Sequence, residues 1–357
     1  MKKKISIVGI VGLPPSYGGF ETLTNYLTKY NKDFDITVYC ERKNNKLRSF
    51  NGANLVYLPF KANGFQSIFY DSLAIIKSWF NSDVILILGT PGYIIIPFLN
   101  FFKKTKTIVN FGGLEWKREK WSYFARLYLR FSEFLAIKHS TIIVADNNYF
   151  RKYIFNKYKR NSVLIEYGGD HSNSGINKEK FLKFYSFLKE EFYLSISRAQ
   201  KDNNLHIILD AFSKMPESKL VLISNFDKSI YGRNLKKKYS KFINIILIDA
   251  IYKSEIINTI RSSCKAYIHS HKYCGTAPSL VEIMNLKKPV FSYNSETNYE
   301  TTENKAFYFE SCSDLINQIR NNDSLSFENN SKNMFEISQR RYLWSKVSKK
   351  YYKLFDN

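Results

Sequence analysis

Apolar positions along this chain fall into short runs separated by longer stretches of helical periodicity. Residues 4–10, 36–40, 54–58, 84–88, 107–110, 141–145 and 162–165 read as strands, with helical segments between most of them. The same alternation restarts beyond residue 191, with strands at 192–197, 219–224, 244–248, 266–269 and 289–293 and a helix at 254–262. Strand–helix alternation of this kind predicts α/β domains built on parallel sheets. Between the two series, residues 171–191 begin polar and turn helical, which predicts a linker. The expected layout is a first domain at 1–170, that linker, a second domain at 192–336 and a closing segment at 337–357 that is helical over 337–355.

Residues 84–102 (VILILGTPGYIIIPFLNFF) form the one apolar stretch long enough to raise the question of a membrane span. Gly89, Pro91, Gly92 and Pro97 interrupt it, so a buried strand, a Gly-Thr-Pro-Gly loop and a short apolar helix are predicted instead. The N-terminal MKKKISIVGIVG has a basic start and a brief apolar run. It flows into a Gly/Pro loop rather than a cleavage site and reads as the first strand.

Length and composition refine this picture. At 357 residues with 44% hydrophobic content, two domains with cores of their own are expected. Cys40, Cys264, Cys274 and Cys312 are scattered without a C-x-x-C pair, which argues against a disulfide framework or a zinc site and suits a reducing cytosol. Lys and Arg number 54 against 31 Asp and Glu, a net charge of +23 that attracts polyanions such as nucleic acid, anionic lipid or diphosphates. No nucleic-acid-binding module is visible, so no nucleic-acid partner is expected. Asp33-Phe34-Asp35 is a D-x-D string, but it precedes an apolar strand instead of ending one; a solvated turn and no metal site are expected.

Candidate chemistry concentrates at two Gly-containing loops. The first follows the opening strand, where Gly18 and Gly19 allow close backbone approach and the next helix points its N-terminus at the loop. The spacing is not G-x-G-x-x-G, so the dinucleotide fingerprint fails. The second is AYIHSHKYCGTAPSLVE, residues 266–282: a short strand, a loop with Gly275, Thr276 and Pro278, then a helix opening near Ser279. Free amides at such a helix start favour a phosphate. Glu282 lies about one turn into that helix, where its carboxylate can accept hydrogen bonds from vicinal hydroxyls such as a ribose diol.

The second loop resembles the donor-binding signature of glycosyltransferase family 4, and within it a bacterial rhamnosyltransferase-type branch. The shared residues are His269, His271, Gly275, Thr276, Pro278, Ser279, Leu280 and Glu282; a further Glu usual in the wider family is replaced by Cys274. Tyr17 to Thr22 (YGGFET), Gly113 to Arg118 with Lys120 and Trp121, the Tyr-Gly-Gly-Asp turn at 167–170 and NYETTE at 298–303 resemble the same branch; 298–303 is expected as a loop. An acidic residue usual just before Gly113 is Gly112 here, leaving Glu115 as the nearest carboxylate, either catalytic or paired with Lys117 or Arg118.

The resemblance implies the GT-B fold, an α/β architecture of two Rossmann-like domains facing across a cleft, with the last helix crossing back to the first domain. It implies retaining transfer of L-rhamnose from dTDP-L-rhamnose to a polyprenyl-diphosphate-linked oligosaccharide in capsule or O-antigen assembly, with no cofactor and no metal. Donor-binding positions are then Gly18, Gly19, Arg198, Lys201, Gly275, Thr276, Ser279 and Glu282, with Glu115 and His271 on the catalytic side. Arg198 is the diphosphate anchor, and Asn203 stands where the wider family has Lys. A UDP-hexose or UDP-N-acetylhexosamine donor, or a catalytically silent GT-B binding protein, are the other readings. The basic charge and the aromatic, basic segment 116–130 suit anionic inner-leaflet lipid as a partner. Peripheral attachment on the cytoplasmic face, released by high salt, is the expectation; ordinary packing of that helix on its sheet is the competing one.

Overall fold

The computed structural model describes residues 2–15, 18–42, 47–119, 121–172 and 178–356. Tyr17 and Lys120 of the motifs above, and part of the expected linker, lie outside the described residues. The chain divides into two compact units, Met1–Glu166 with Ser345–Asn357, and Tyr167–Trp344.

The first unit is built on β1 (Lys4–Val8), β2 (Asp35–Glu41), β3 (Ser49–Phe50), β4 (Ala53–Leu58), β5 (Val84–Leu88), β6 (Lys106–Asn110), β7 (Ile142–Ala145) and β8 (Val163–Leu164). Their order is β3-β4-β2-β1-β5-β6-β7-β8, parallel except for the short antiparallel β3–β4 pair. Helices α1 (Gly19–Tyr30), α2 (Ser67–Asn81), α3 (Ile96–Leu99), α4 (Tyr123–His139) and α5 (Asn148–Tyr158) connect them. Central β5 (VILIL) is buried at every position, as expected of a parallel strand covered on both faces. The apolar stretch after it is a 3-10 turn, Pro91–Ile95, followed by α3. Among the described residues no helix is long and apolar enough to cross a membrane. Within the aromatic, basic segment 116–130 the helix α4 begins at Tyr123, where the Ser122 hydroxyl caps the first turn; Glu115–Lys117 is a separate 3-10 turn.

The second unit holds β9 (Tyr193–Ile196), β10 (Leu220–Ser224), β11 (Ile245–Asp249), β12 (Ala266–His269), β13 (Val290–Tyr293) and β14 (Phe307–Phe309), all parallel, in the order β11-β10-β9-β12-β13-β14. Its helices are α6 (Lys178–Phe181), α7 (Leu205–Ser213), α8 (Ile230–Tyr239), α9 (Ser254–Ser263), α10 (Pro278–Asn285), α11 (Glu296–Thr302), α12 (Cys312–Asn321) and α13 (Ser324–Arg341), with α14 (Trp344–Asp356) leading out of it. Leu222, Ile268 and Phe291 from three strands meet Leu209 and Phe212 from α7 in its core.

Three sequence expectations change here. The stretch 171–191 does not stand apart: Phe181, Phe187 and Leu188 are buried in the second unit. NYETTE is helical up to Thr302 rather than a loop: α11 covers 298–302, with Glu303 as its C-cap, and Thr301 and Thr302 bond back to the carbonyls of Thr297 and Asn298. The helix expected over 337–355 is two helices. Tyr342 is fully buried and its phenol donates to Thr301 O, while Asp170 Oδ1 accepts the N–H of Trp344 at 2.8 Å and starts α14 afresh. From Ser345 on, α14 belongs to the first unit, where Asn110 Nδ2 donates to Tyr351 Oη at 2.6 Å and Phe355 meets the Phe34 ring edge-on.

Candidate functional site

In the second sheet the chain starts at β9, runs outward through β10 and β11, then returns to the other side of β9 with β12. The point between β9 and β12 is therefore a topological switch, and open α/β sheets bind ligands just beyond the C-terminal ends of strands at such a point. The loop after β9 carries Arg198 and Lys201; the loop after β12 carries His271, Gly275, Thr276 and, at the head of α10, Ser279.

Hydrogen bonds stitch these two loops together. Ser197 Oγ lies 2.7 Å from His271 Nε2, Asn204 Nδ2 donates to Ser270 O at 3.3 Å, and Ser270 Oγ donates to Asn203 O. The N–H of Lys272 reaches Asp202 O at 3.3 Å. Asn203 is buried and its Nδ2 donates to Arg198 O at 2.8 Å. The residue standing where a Lys was looked for thus braces the main chain of the anchor loop. Arg198 and Lys201 are exposed.

Beyond β12, α10 begins with Pro278 in its first turn and extended Ala277 before it, and no side chain caps it. Pro278 has no N–H, and the amides of Leu280 and Val281 already bond Ala277 O at 3.0 and 3.2 Å, so the Ser279 N–H is the leading amide that faces outward for an anion. Gly275 and Thr276 are buried, and the phenol of Tyr267, on the strand before this turn, donates to Ile196 O at 3.1 Å.

Glu282 sits where the sequence placed it, one turn into α10, but its surroundings were not foreseen. Oε2 pairs with the buried Arg261 guanidinium from α9, and Oε1 lies 3.0 Å from His171 Nε2. Trp344 Nε1 donates to His171 Nδ1 at 2.9 Å; an indole is only a donor, so the imidazole proton is on Nε2 and faces the carboxylate. Burial raises the Glu282 pKa, but the Arg261 charge and the His171 hydrogen bond outweigh it and hold the group below the usual glutamate range. The Tyr-Gly-Gly-Asp turn docks at the same place: a Cβ on Gly169 would lie 2.4 Å from Val281 O, and Ser172 Oγ donates to Glu282 O at 2.8 Å. Glu282 is therefore a joint between α9, α10 and that turn. A ribose diol would have to use its remaining lone pairs.

Residues outside the expected donor-binding and catalytic positions also belong here. Asn298 Nδ2, from α11, donates to His271 O at 3.0 Å and Tyr293 O at 2.9 Å, so His271 is held from behind as well as by Ser197. His269 is 1% exposed, and neither ring nitrogen has a partner among the described residues. Burial, and then the neighbouring His271, lower its pKa well below the usual histidine value, so the ring is neutral. Ser197 and Arg261 carry no local signal, and Asn298, although part of the NYETTE motif, gives no hint of its partner; only the folded sheet brings the three to the loop.

Gly18, Gly19 and Glu115 lie in the first unit, beyond the C-terminal ends of β1 and β6. Gly18 precedes α1 at φ 89° and Gly19 is its first residue. Phe20 turns its ring over the loops after β5 and β6: a Cβ on Gly112 would lie 2.8 Å from its Cζ and one on Gly89 3.9 Å from its Cε2. Glu115 forms an ion pair with Arg118 at 2.8 Å and accepts from Trp121 Nε1 at 3.2 Å. Of the two roles open to it, the pairing with Arg118 is the one seen.

Residues 177–333 match the family model for Glycosyl transferases group 1, and residues 2–170 match a domain of unknown function, DUF1972. Among curated proteins none matches the sequence. Solved structures similar to the whole chain include sucrose-phosphate synthase from Thermosynechococcus elongatus, at 13% identity over 99% of this chain and 98% of that one, with a TM-score of 0.82. HepE of Anabaena, solved with UDP and glucose, is 14% identical over the full length of both chains, with a TM-score of 0.77. A glycosyltransferase from Rickettsia africae is 15% identical over 99% of this chain and 98% of that one, with a TM-score of 0.71. At these identities the likeness is one of fold. With its two parallel-sheet Rossmann-like units, the chain has the GT-B fold, and its second unit matches the glycosyl transferases group 1 model over residues 177–333.

Proposed function

We propose that this protein is a retaining glycosyltransferase that moves L-rhamnose from dTDP-L-rhamnose to a polyprenyl-diphosphate-linked oligosaccharide in bacterial surface polysaccharide assembly, without a metal, at the cytoplasmic face of the membrane. The observation that carries the nucleotide-sugar part is the convergence of exposed Arg198 and Lys201 with the uncapped start of α10 at the β9/β12 switch point. A departing diphosphate develops charge, and a guanidinium, an ammonium and the fixed Ser279 amide on one rim are suited to stabilise it. Thr276 and Ser279 belong to that rim, and Glu282 orients the nucleotide ribose through the lone pairs left free by Arg261 and His171. Retention without a protein nucleophile is served by attack from the leaving-group side. The acceptor hydroxyl bonds to the anomeric carbon as the bond to the diphosphate breaks, and a diphosphate oxygen takes the hydroxyl proton. His271, fixed by Ser197 and Asn298, is assigned to the reacting-sugar end of the loop. Rhamnose, the lipid-linked acceptor and the membrane location rest on the sequence resemblance.

A second reading keeps the reaction and uses a UDP-hexose; it is favoured by the fold shared with HepE, which was solved with UDP-glucose. Calorimetry with dTDP, UDP and GDP, then their sugar conjugates, in the presence of EDTA decides between them. Tight dTDP binding supports rhamnosyl transfer, UDP preference replaces the donor, and dependence on added metal removes the metal-independent part. No nucleotide binding leaves a silent binding protein.

A further inference from the structure

The outer surface of the first unit is unusual around α2, α3 and α4. The three helices are neighbours, with α3 packed against both others. Trp79 of α2 donates its indole N–H to Lys103 O just after α3 at 2.8 Å, and Tyr128 of α4 donates to Pro91 O at 2.5 Å. Each turns large aromatics to solvent: Phe69 and Phe80 on α2, Phe98 and Phe101 on and after α3, Phe124 and Phe131 on α4; Phe101 is 87% exposed and Phe124 80%. On α4 this apolar stripe is additional to the face that buries Leu129, Ala136 and Ile137. A helix apolar on both sides needs a second apolar environment.

The exposed charge on the three helices has one sign. The acidic residues on the three helices, Asp71 and Glu133, are both buried. Lys77, Lys103, Lys104 and Arg130 are exposed among the aromatics. Aromatic side chains set among long cations, without exposed carboxylates, match the boundary between anionic headgroups and acyl chains. The 3-10 turn before α3 and the loop before α4 both leave the C-terminal ends of strands β5 and β6, the end at which an α/β domain binds its ligand.

We infer that the α2–α3–α4 face is a membrane-docking surface that inserts its phenylalanines into an anionic phospholipid bilayer, in the plane of the interface. This deepens the membrane part of the proposed function and is independent of the donor. It also changes the expected mode of attachment. Salt screens the lysines and arginines but not the burial of aromatic rings, so high salt weakens attachment without abolishing it.

The test is flotation of the full chain with vesicles of phosphatidylglycerol and phosphatidylethanolamine, or of phosphatidylcholine alone, at about 0.1 and about 1 M NaCl. The wild-type chain is expected to float with the anionic vesicles and to remain partly bound at the higher salt. Phe98→Ser, Phe124→Ser and Phe131→Ser should each weaken partitioning roughly tenfold at both salts. Lys103→Glu with Lys104→Glu should weaken it mainly at low salt. Thermal midpoints and nucleotide affinity should stay at wild-type values. Phe124→Trp, which preserves the fold, should be quenched by brominated acyl chains in the anionic vesicles. A wild-type chain that floats with no vesicle overturns the membrane reading itself. Wild-type flotation with unchanged serine variants and an unquenched Trp overturns only this face, and complete release at high salt overturns insertion. Serine variants that change the oligomeric mass but not flotation would assign the face to a second copy of the chain instead.

Discussion

The ring of Phe20 occupies the space into which a side chain at position 112 would project: a Cβ on Gly112 would lie 2.8 Å from Phe20 Cζ, and Gly112 has φ +64°. Two motif positions that look independent in sequence, the Phe of YGGFET and the missing acidic residue before Gly113, are one packing arrangement. A carboxylate cannot be restored here without moving the ring and holding a side chain in left-handed backbone.

Gly112→Asp is therefore expected to destabilise the protein by about 1–3 kcal/mol, from strain and overpacking together. Phe20→Ala in the same chain should relieve the steric part, so the double variant loses less than the sum of the singles. Urea unfolding of the four proteins reads this directly. Additive losses would mean that ring and glycine do not interact.

Much of the fold was legible because its central strands are continuous apolar runs; β5 and β12 were placed at their observed bounds. What was missed is short or held by tertiary contacts. The Ser49–Phe50 and Phe307–Phe309 strands are too brief to show a period. Helix α11 has Thr at three of its seven positions, and its Asn298 side chain is engaged by the main chain of other segments. At the site, the Arg198 loop and the 275–279 helix start were readable as motifs. The partners of Glu282 were not, because Arg261 and His171 lie 21 and 111 residues away in sequence.

Glu282 should behave first as a structural residue. Removing one member of a buried ion pair strands the other, at a typical cost of about 3–5 kcal/mol, so Glu282→Ala should unfold at lower urea as well as bind nucleotide poorly. The folded carboxyl titrates below its ordinary 4.5, so its stabilisation is complete above that pH and is lost as pH falls through the folded value. The stability gap between wild type and Glu282→Gln is expected to be wide at pH 7 and to narrow below about pH 4. A gap that does not change with pH would remove the charge from the explanation.

Asp71 should show the opposite slope. Burial alone raises its carboxyl from 3.8 to about 8, and the residue lies under Gly92, where a Cβ would come 2.5 Å from Asp71 Cβ. Between those two pH values the folded chain keeps a proton that the unfolded chain releases, so this group makes stability fall as pH rises. Asp71→Asn, neutral throughout, should gain on the wild type steadily from pH 5 to pH 8 in thermal melts. Parallel melting curves across that range would show that Asp71 is ionised in the folded protein.

Arg198 offers the sharpest separation of site from scaffold. Its guanidinium is exposed, while the loop conformation is set by Asn203 and by the Ser197–His271 bond, which do not depend on the Arg side chain. Arg198→Ala should therefore leave the thermal midpoint unchanged and weaken binding of the nucleoside diphosphate by roughly 10- to 100-fold, the loss of a charge-assisted contact. Arg198→Lys keeps the charge but not the two-pronged geometry and should fall between. Lys201→Ala should cost less, because a single ammonium on a flexible stem holds phosphate as a point charge. Asn203→Ala is the informative control: it removes the brace rather than the anchor. It should lower the thermal midpoint and the affinity together, whereas Arg198→Ala should lower the affinity alone. Calorimetry paired with melting of these four variants distinguishes an anchor loop from an ordinary surface turn, and wild-type affinity in Arg198→Ala would move the diphosphate away from this rim.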